Sequence, residues 1–127
     1  MIITHFSQQR VYATFRQWDV PMDFADPMAN YVMYGLEPGS CFTAVLANDF
    51  GAAMLSSHPN NSVEAFKTLV GWMRSHLPPR AYGSYERVRA WIDLDAAERR
   101  AILELNRLIY TAREETWMAL KGEEVMA

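Results

Sequence analysis

Between Asn61 and Pro79 the chain carries its least ambiguous structural instruction. Val63, Phe66, Leu69, Val70, Met73 and Leu77 recur at three- and four-residue spacings, Lys67, Arg74 and Ser75 take the outer face, and Pro78-Pro79 closes the run. That period gathers apolar side chains on one side of an α-helix; a strand would need alternation at every second residue. The prolines lack an amide donor and push the preceding residue out of the helical region, so the stop is firm. Asn61 with Glu64 three residues on has the spacing of a capping box, with asparagine in place of the usual serine or threonine. A helix with one apolar stripe needs other elements to cover it.

The rest of the chain supplies helices of similar size. A short extended start over Ile2, Ile3 and Phe6 is expected to lead into a helix over about 8 to 18, where Val11, Tyr12, Phe15 and Trp18 share a face. Asp26-Pro27 marks a helix start, with Met28, Tyr31 and Val32 facing inward and Gly35 as a left-handed stop. Pro38-Gly39-Ser40 is a turn whose serine can cap the next helix, which carries Phe42, Val45, Leu46 and Phe50 among small alanines. Asn48, Asp49 and Gly51 weaken that helix in its middle, so a bend or split is expected there. Ser84 is the next cap, ahead of Tyr85, Val88, Trp91 and Ile92, and Asp95 with Glu98 launches a further helix through Ile102 and Leu105. Thr111 with Glu114 repeats the capping spacing, which favours a break between 106 and 111 and a last helix over about 112 to 121. The expected fold is all-α, a bundle of about five to six short helices. The 127 residues make one domain, with a core over 33–92 on which the N-terminal segment 1–20 and the C-terminal helices 95–121 pack.

Composition narrows the class of function. Twelve basic against fifteen acidic residues give a formal charge of −3, so a nucleic-acid partner would require a local basic patch. The N-terminus has no basic leader, and no segment reaches the roughly 18 consecutive apolar residues that a membrane span needs. A soluble cytoplasmic protein is expected, with no membrane partner. A single cysteine, Cys41, excludes an intramolecular disulfide and a Cys-rich metal site.

Signatures of catalysis are absent from the sequence pattern. His5, His58 and His76 have no zinc-type spacing, so no metal site is expected. His76, at a helix C-terminus, suits the negative end of the dipole. Cys41 stands near a helix N-terminus, which favours thiolate, yet no Cys-His-Asn pattern accompanies it. No phosphate loop, dinucleotide fingerprint or nucleophile elbow is present, so no cofactor and no catalytic residue is assigned.

Two clusters remain as candidate contact sites. Asn48 and Asp49 interrupt an apolar helix, and with His58 and Asn61 they can form a polar patch at the helix-loop-helix bend. The plainer alternative is that both point to solvent or cap a helix break. Arg80 and Tyr82, followed by Tyr85, Arg87 and Arg89, form a basic and aromatic segment able to stack on bases, although arginines on a short amphipathic helix are more often its wet side.

The stretches PGSCFTAVLANDF, SHPNN and YGSYERVRAWI, spanning roughly Met33 to Trp91, resemble a family of small proteins encoded by tailed bacteriophages and prophages of proteobacteria. In this chain Cys41 precedes the family's usual phenylalanine, and Tyr82 stands where tryptophan or tyrosine is usual. The resemblance implies a phage origin and brings no assigned activity. By association it suggests an accessory protein that binds a host or phage protein and inhibits a host enzyme or a defence complex such as CRISPR. The sequence-based expectation is therefore a non-enzymatic protein-binding module whose surface is Asn48, Asp49, His58 and Asn61, joined by Arg80 and Tyr82. A small nucleic-acid-binding regulator using residues 80 to 89 is the alternative, and a hydrolase whose residues meet only in three dimensions is a third. Self-association is expected if Trp18, Trp72 or Trp117 is exposed, because monomers rarely show large apolar patches.

Overall fold

The computed structural model describes residues 8–56 and 62–105, and within them the regular secondary structure is all helical, with no strand. Seven α-helices follow in order: α1 (Gln8–Trp18), α2 (Ala25–Tyr34), α3 (Ser40–Leu46), α4 (Phe50–Met54), α5 (Val63–His76), α6 (Tyr85–Asp93) and α7 (Ala96–Leu105). Two single 3-10 turns, Met22–Phe24 and Pro79–Ala81, join them. The expected all-α bundle of short helices is the observed one, and the helix expected from Ser40 onward is two. The extended start at 2–6, the break at 106–111 and the helix over 112–121 lie outside the described residues.

Helix ends show which local signals hold. Ser84 accepts the Arg87 amide at 3.1 Å and Asp95 the Glu98 amide at 2.9 Å, as their spacing predicts. On α5 the cap is Ser62, which accepts the Ala65 amide at 3.1 Å; Asn61, the expected cap, lies outside the described residues. Ser40 is the first residue of α3 and makes no cap, its place being taken by Gly39 at φ 93. Asp26 sits in the first turn of α2 and accepts the Tyr12 hydroxyl at 2.5 Å and Gln8 Nε2 at 3.1 Å, so its carboxylate ties α1 to α2. That bond, and burial after it, raises the Tyr12 hydroxyl above its ordinary pKa.

α1 packs on α2 and α5, α3 on α4 and α6, and α7 on α2. The centre is aromatic: Phe24 meets Phe42 edge-on with ring centroids 4.9 Å apart, and Phe15 meets Trp72 likewise at 4.7 Å. The polar tips of the fully buried Trp and Tyr side chains find partners. Trp91 Nε1 donates to the Tyr31 and Val32 carbonyls at 3.2 Å each, Tyr31 Oη donates to the Ala81 carbonyl at 2.7 Å, and Trp72 Nε1 donates to Thr14 Oγ1 at 2.8 Å. Burial raises the Tyr31 hydroxyl far above its ordinary pKa, so it stays a neutral donor.

Arg99 closes the α2–α7 side. Its Nη2 donates to the carbonyls of Trp91, Ile92 and Leu94, the last at 2.6 Å, capping the end of α6 from a neighbouring helix. The guanidinium passes over Gly35, where a Cβ would stand 2.3 Å from Nη2. Gly35 is also left-handed, at φ 68, so the glycine both ends α2 and admits the arginine. Among the described residues no helix is long and apolar enough to cross a membrane.

A candidate interaction groove between α4 and α5

Asn48 and Asp49 do split a helix. α3 ends at Leu46, Asn48 takes the left-handed conformation at φ 65, and Asp49 becomes the N-cap of α4, accepting the Ala52 amide at 3.2 Å. The other carboxylate oxygen of Asp49 accepts the Tyr85 hydroxyl at 2.7 Å. These two bonds, the tyrosine first, hold the Asp49 carboxyl below its ordinary pKa, and the same bond raises that of Tyr85. The Gly83 amide donates to the Leu46 carbonyl at 2.7 Å, so the corner between α3 and α4 is pinned at two points, to the turn before α6 and to the first residue of α6.

Fixing that corner turns Phe50 toward α5 and leaves it 42% exposed, with Met54 40% and Val63 57% exposed nearby. Between α4 and α5 lies a groove of about 460 Å³ whose walls are Phe50 and Met54 on one side and Val63, Phe66, Lys67, Val70 and Gly71 on the other. A second cavity of about 320 Å³ continues it, lined by Asn48, Met73, Arg74, Tyr82 and Gly83 and sharing Phe50 and Val70 with the first. The two form one trough along α5, apolar at the Met54 end and polar at the Asn48 end. Gly71 is bare for a reason: the Trp18 ring lies over it, and a Cβ there would stand 2.8 Å from Trp18 Cζ3.

The structure brings together some of the residues expected from sequence. Asn48 and Tyr82 line the polar end of the trough. Asp49 lines neither cavity and is engaged by Tyr85. Arg80 lies on the 3-10 turn after α5 with its charge felt by Glu98 of α7, and it lines neither cavity of the trough. His58 and Asn61 lie outside the described residues. Sequence reasoning missed the trough itself, because Phe50, Val63 and Val70 read as core and Lys67 and Arg74 as the wet face. A signal was available: α5 carries more apolar surface than one stripe uses, with Val63 and Val70 seven residues apart beside the buried set.

Other chemistry-bearing groups are structurally engaged. Cys41 is buried, with Sγ 3.9 Å from the Ala53 carbonyl. His76 is buried at the end of α5 and accepts the Trp18 indole N–H on Nε2 at 3.2 Å. Burial, and then the charge of Arg10, lowers its pKa to about 4, so it is neutral at pH 7 and cannot act as the cationic dipole partner expected from its position. Arg87 donates to the Pro79 and Tyr82 carbonyls and Arg89 pairs with Glu37 at 3.2 Å, so two cations of the basic segment already have partners. No group of three or more histidine, cysteine or acidic residues placed to hold a metal occurs among the described residues. A roomier cavity of about 630 Å³, lined by residues of α3 and α4, also has Glu37 and Tyr85 in its lining, both engaged in the pairs above.

No protein-family model, curated protein or solved structure matches the chain. The resemblance of its central stretches to phage proteins gains nothing from those comparisons.

Proposed function

We propose that the protein is a binding module that takes an apolar segment of another protein into the trough between α4 and α5. The observation that carries this is the contiguity of Phe50, Met54, Val63 and Val70 around one open groove. A scattered exposed side chain is ordinary, whereas apolar side chains gathered around a concavity mark a contact surface. An aromatic and a methionine at its lip suit that role, the first for buried area and the second for adaptable fit. The phage resemblance makes a host or phage protein the first partner to look for, and occupying a surface that a host enzyme or defence complex needs is how such a module would inhibit it.

The test is capture by the tagged protein from lysate of a bacterial host, scored against two variants with unchanged far-UV circular dichroism. Phe50→Ser is expected to lose a specific partner that Glu86→Ser, on the exposed side of α6, retains. Retention of the same partner by Phe50→Ser would remove the trough from the function.

A further inference from the structure

Two cations flank the trough. Lys67 lines its apolar section and Arg74 its polar section, both on α5 and seven residues apart. Two helical turns separate them, a rise of about 10 Å. Neither forms an ion pair within the described residues, where Arg89 pairs with Glu37 and Arg100 with Glu104. The acidic groups on α5 and at the start of α4 are otherwise placed: Glu64 is exposed on α5 and lines neither section, and Asp49 is held by Tyr85 and the Ala52 amide.

Building on the protein-binding role above, we infer that the occupant is a single amphipathic helix carrying two carboxylates seven residues apart along one edge of its apolar stripe. A helix lying along α5 at the shallow crossing of about 20° keeps register with it over two turns. Its acidic side chains at positions i and i+7 then meet Lys67 and Arg74, the arginine offering a planar fork that takes a carboxylate through two parallel hydrogen bonds. Apolar side chains at i+3 and i+4 fall at the waist between Phe50 and Val70, and the turn before i reaches the Met54 and Val63 end. With a net charge of −3 on the whole chain, long-range attraction to an acidic partner is absent, and the preference comes from these two cations at contact distance.

The experiment uses three synthetic helical peptides of about 18 residues, five turns, with one common leucine stripe and Glu, Gln or Lys at the two edge positions. Binding to the full chain is followed by fluorescence anisotropy at low salt. The Glu peptide is expected to bind about tenfold more tightly than the Gln peptide, as two partly exposed charge pairs allow, and more tightly still than the Lys peptide. The double variant Lys67→Glu/Arg74→Glu is expected to reverse that order. Equal affinity for the Glu and Gln peptides would overturn the charge preference while leaving the trough as a binding surface. No binding of any peptide would overturn both. A dimer in sedimentation that Phe50→Ser abolishes would assign the trough to a second copy, and zero-length cross-linking of Lys67 to a carboxylate beyond residue 105 of the same chain would assign it to the protein itself; either result contradicts the acidic-helix occupant.

Discussion

The two flanks of α5 differ sharply. On one, Leu69, Trp72 and His76 are sealed against the rest of the bundle, and Trp72 is fully buried with its N–H on Thr14, whose hydroxyl donates in turn to the Arg10 carbonyl at 2.7 Å. On the other, Val63 and Val70 face a trough that the short α4 does not fill. The same helix thus carries one apolar stripe closed by the fold and another left open beside it. Apolar periodicity marks both alike, and only the length and placement of the neighbouring helix separates them.

The sharpest way to break that contrast is to truncate one residue on each flank. Trp72→Ala removes the largest sealed side chain and the N–H that Thr14 Oγ1 accepts, and is expected to cost about 3–5 kcal/mol in chemical denaturation. A loss below 1 kcal/mol, on the order of an ordinary surface change, would show that the sealed flank is loosely packed.

A gentler probe of the same flank is acid. The unfolded chain takes up a proton on His76 near pH 6.5, while the folded protein does so only near pH 4, because burial and then Arg10 oppose the charge. The stability attached to neutral His76 is therefore fully present above pH 6.5, falls as pH drops through that window and is lost by pH 4, a change of about 3 kcal/mol. His76→Gln is expected to flatten this part of the pH profile. An unchanged slope between pH 6.5 and 4 would place the effect on other groups.

The smallest effect is expected on the open flank. Val63→Ser changes a side chain that is already more than half exposed and should alter stability by less than about 0.5 kcal/mol while weakening partner capture. Equal losses at Val63 and Trp72 would erase the distinction between the flanks.

Much of this fold is written in local signals. The Pro78-Pro79 stop, the left-handed Gly35, the Ser84 and Asp95 caps and the split at Asn48-Asp49 each depend on residues within a turn of one another, and they appear where the sequence puts them. Long-range pairings were not legible. Nothing local says that Trp72 rather than Val63 would face the core, since both fit a helical apolar pattern and burial is decided by which helix arrives opposite. Nor does a sequence show that Asp49 would be claimed by Tyr85, 36 residues away, or that Arg99 would run over Gly35 to cap α6. The candidate site was half visible for the same reason. Asn48 and Tyr82 stood out as polar and aromatic residues in unusual places, whereas Phe50 and Val70 become a surface only once α4 is seen to stop at Met54.

The most direct test of an open second stripe on α5 is amide chemical-shift mapping while the acidic amphipathic peptide is titrated into the full chain. The expected shifts fall on Phe50, Met54, Val63, Lys67, Val70, Gly71 and Arg74, with the Trp72 and Trp91 indoles unmoved. Shifts confined to Arg80 through Arg89, or movement of the Trp72 indole without change at Phe50 and Val70, would contradict it.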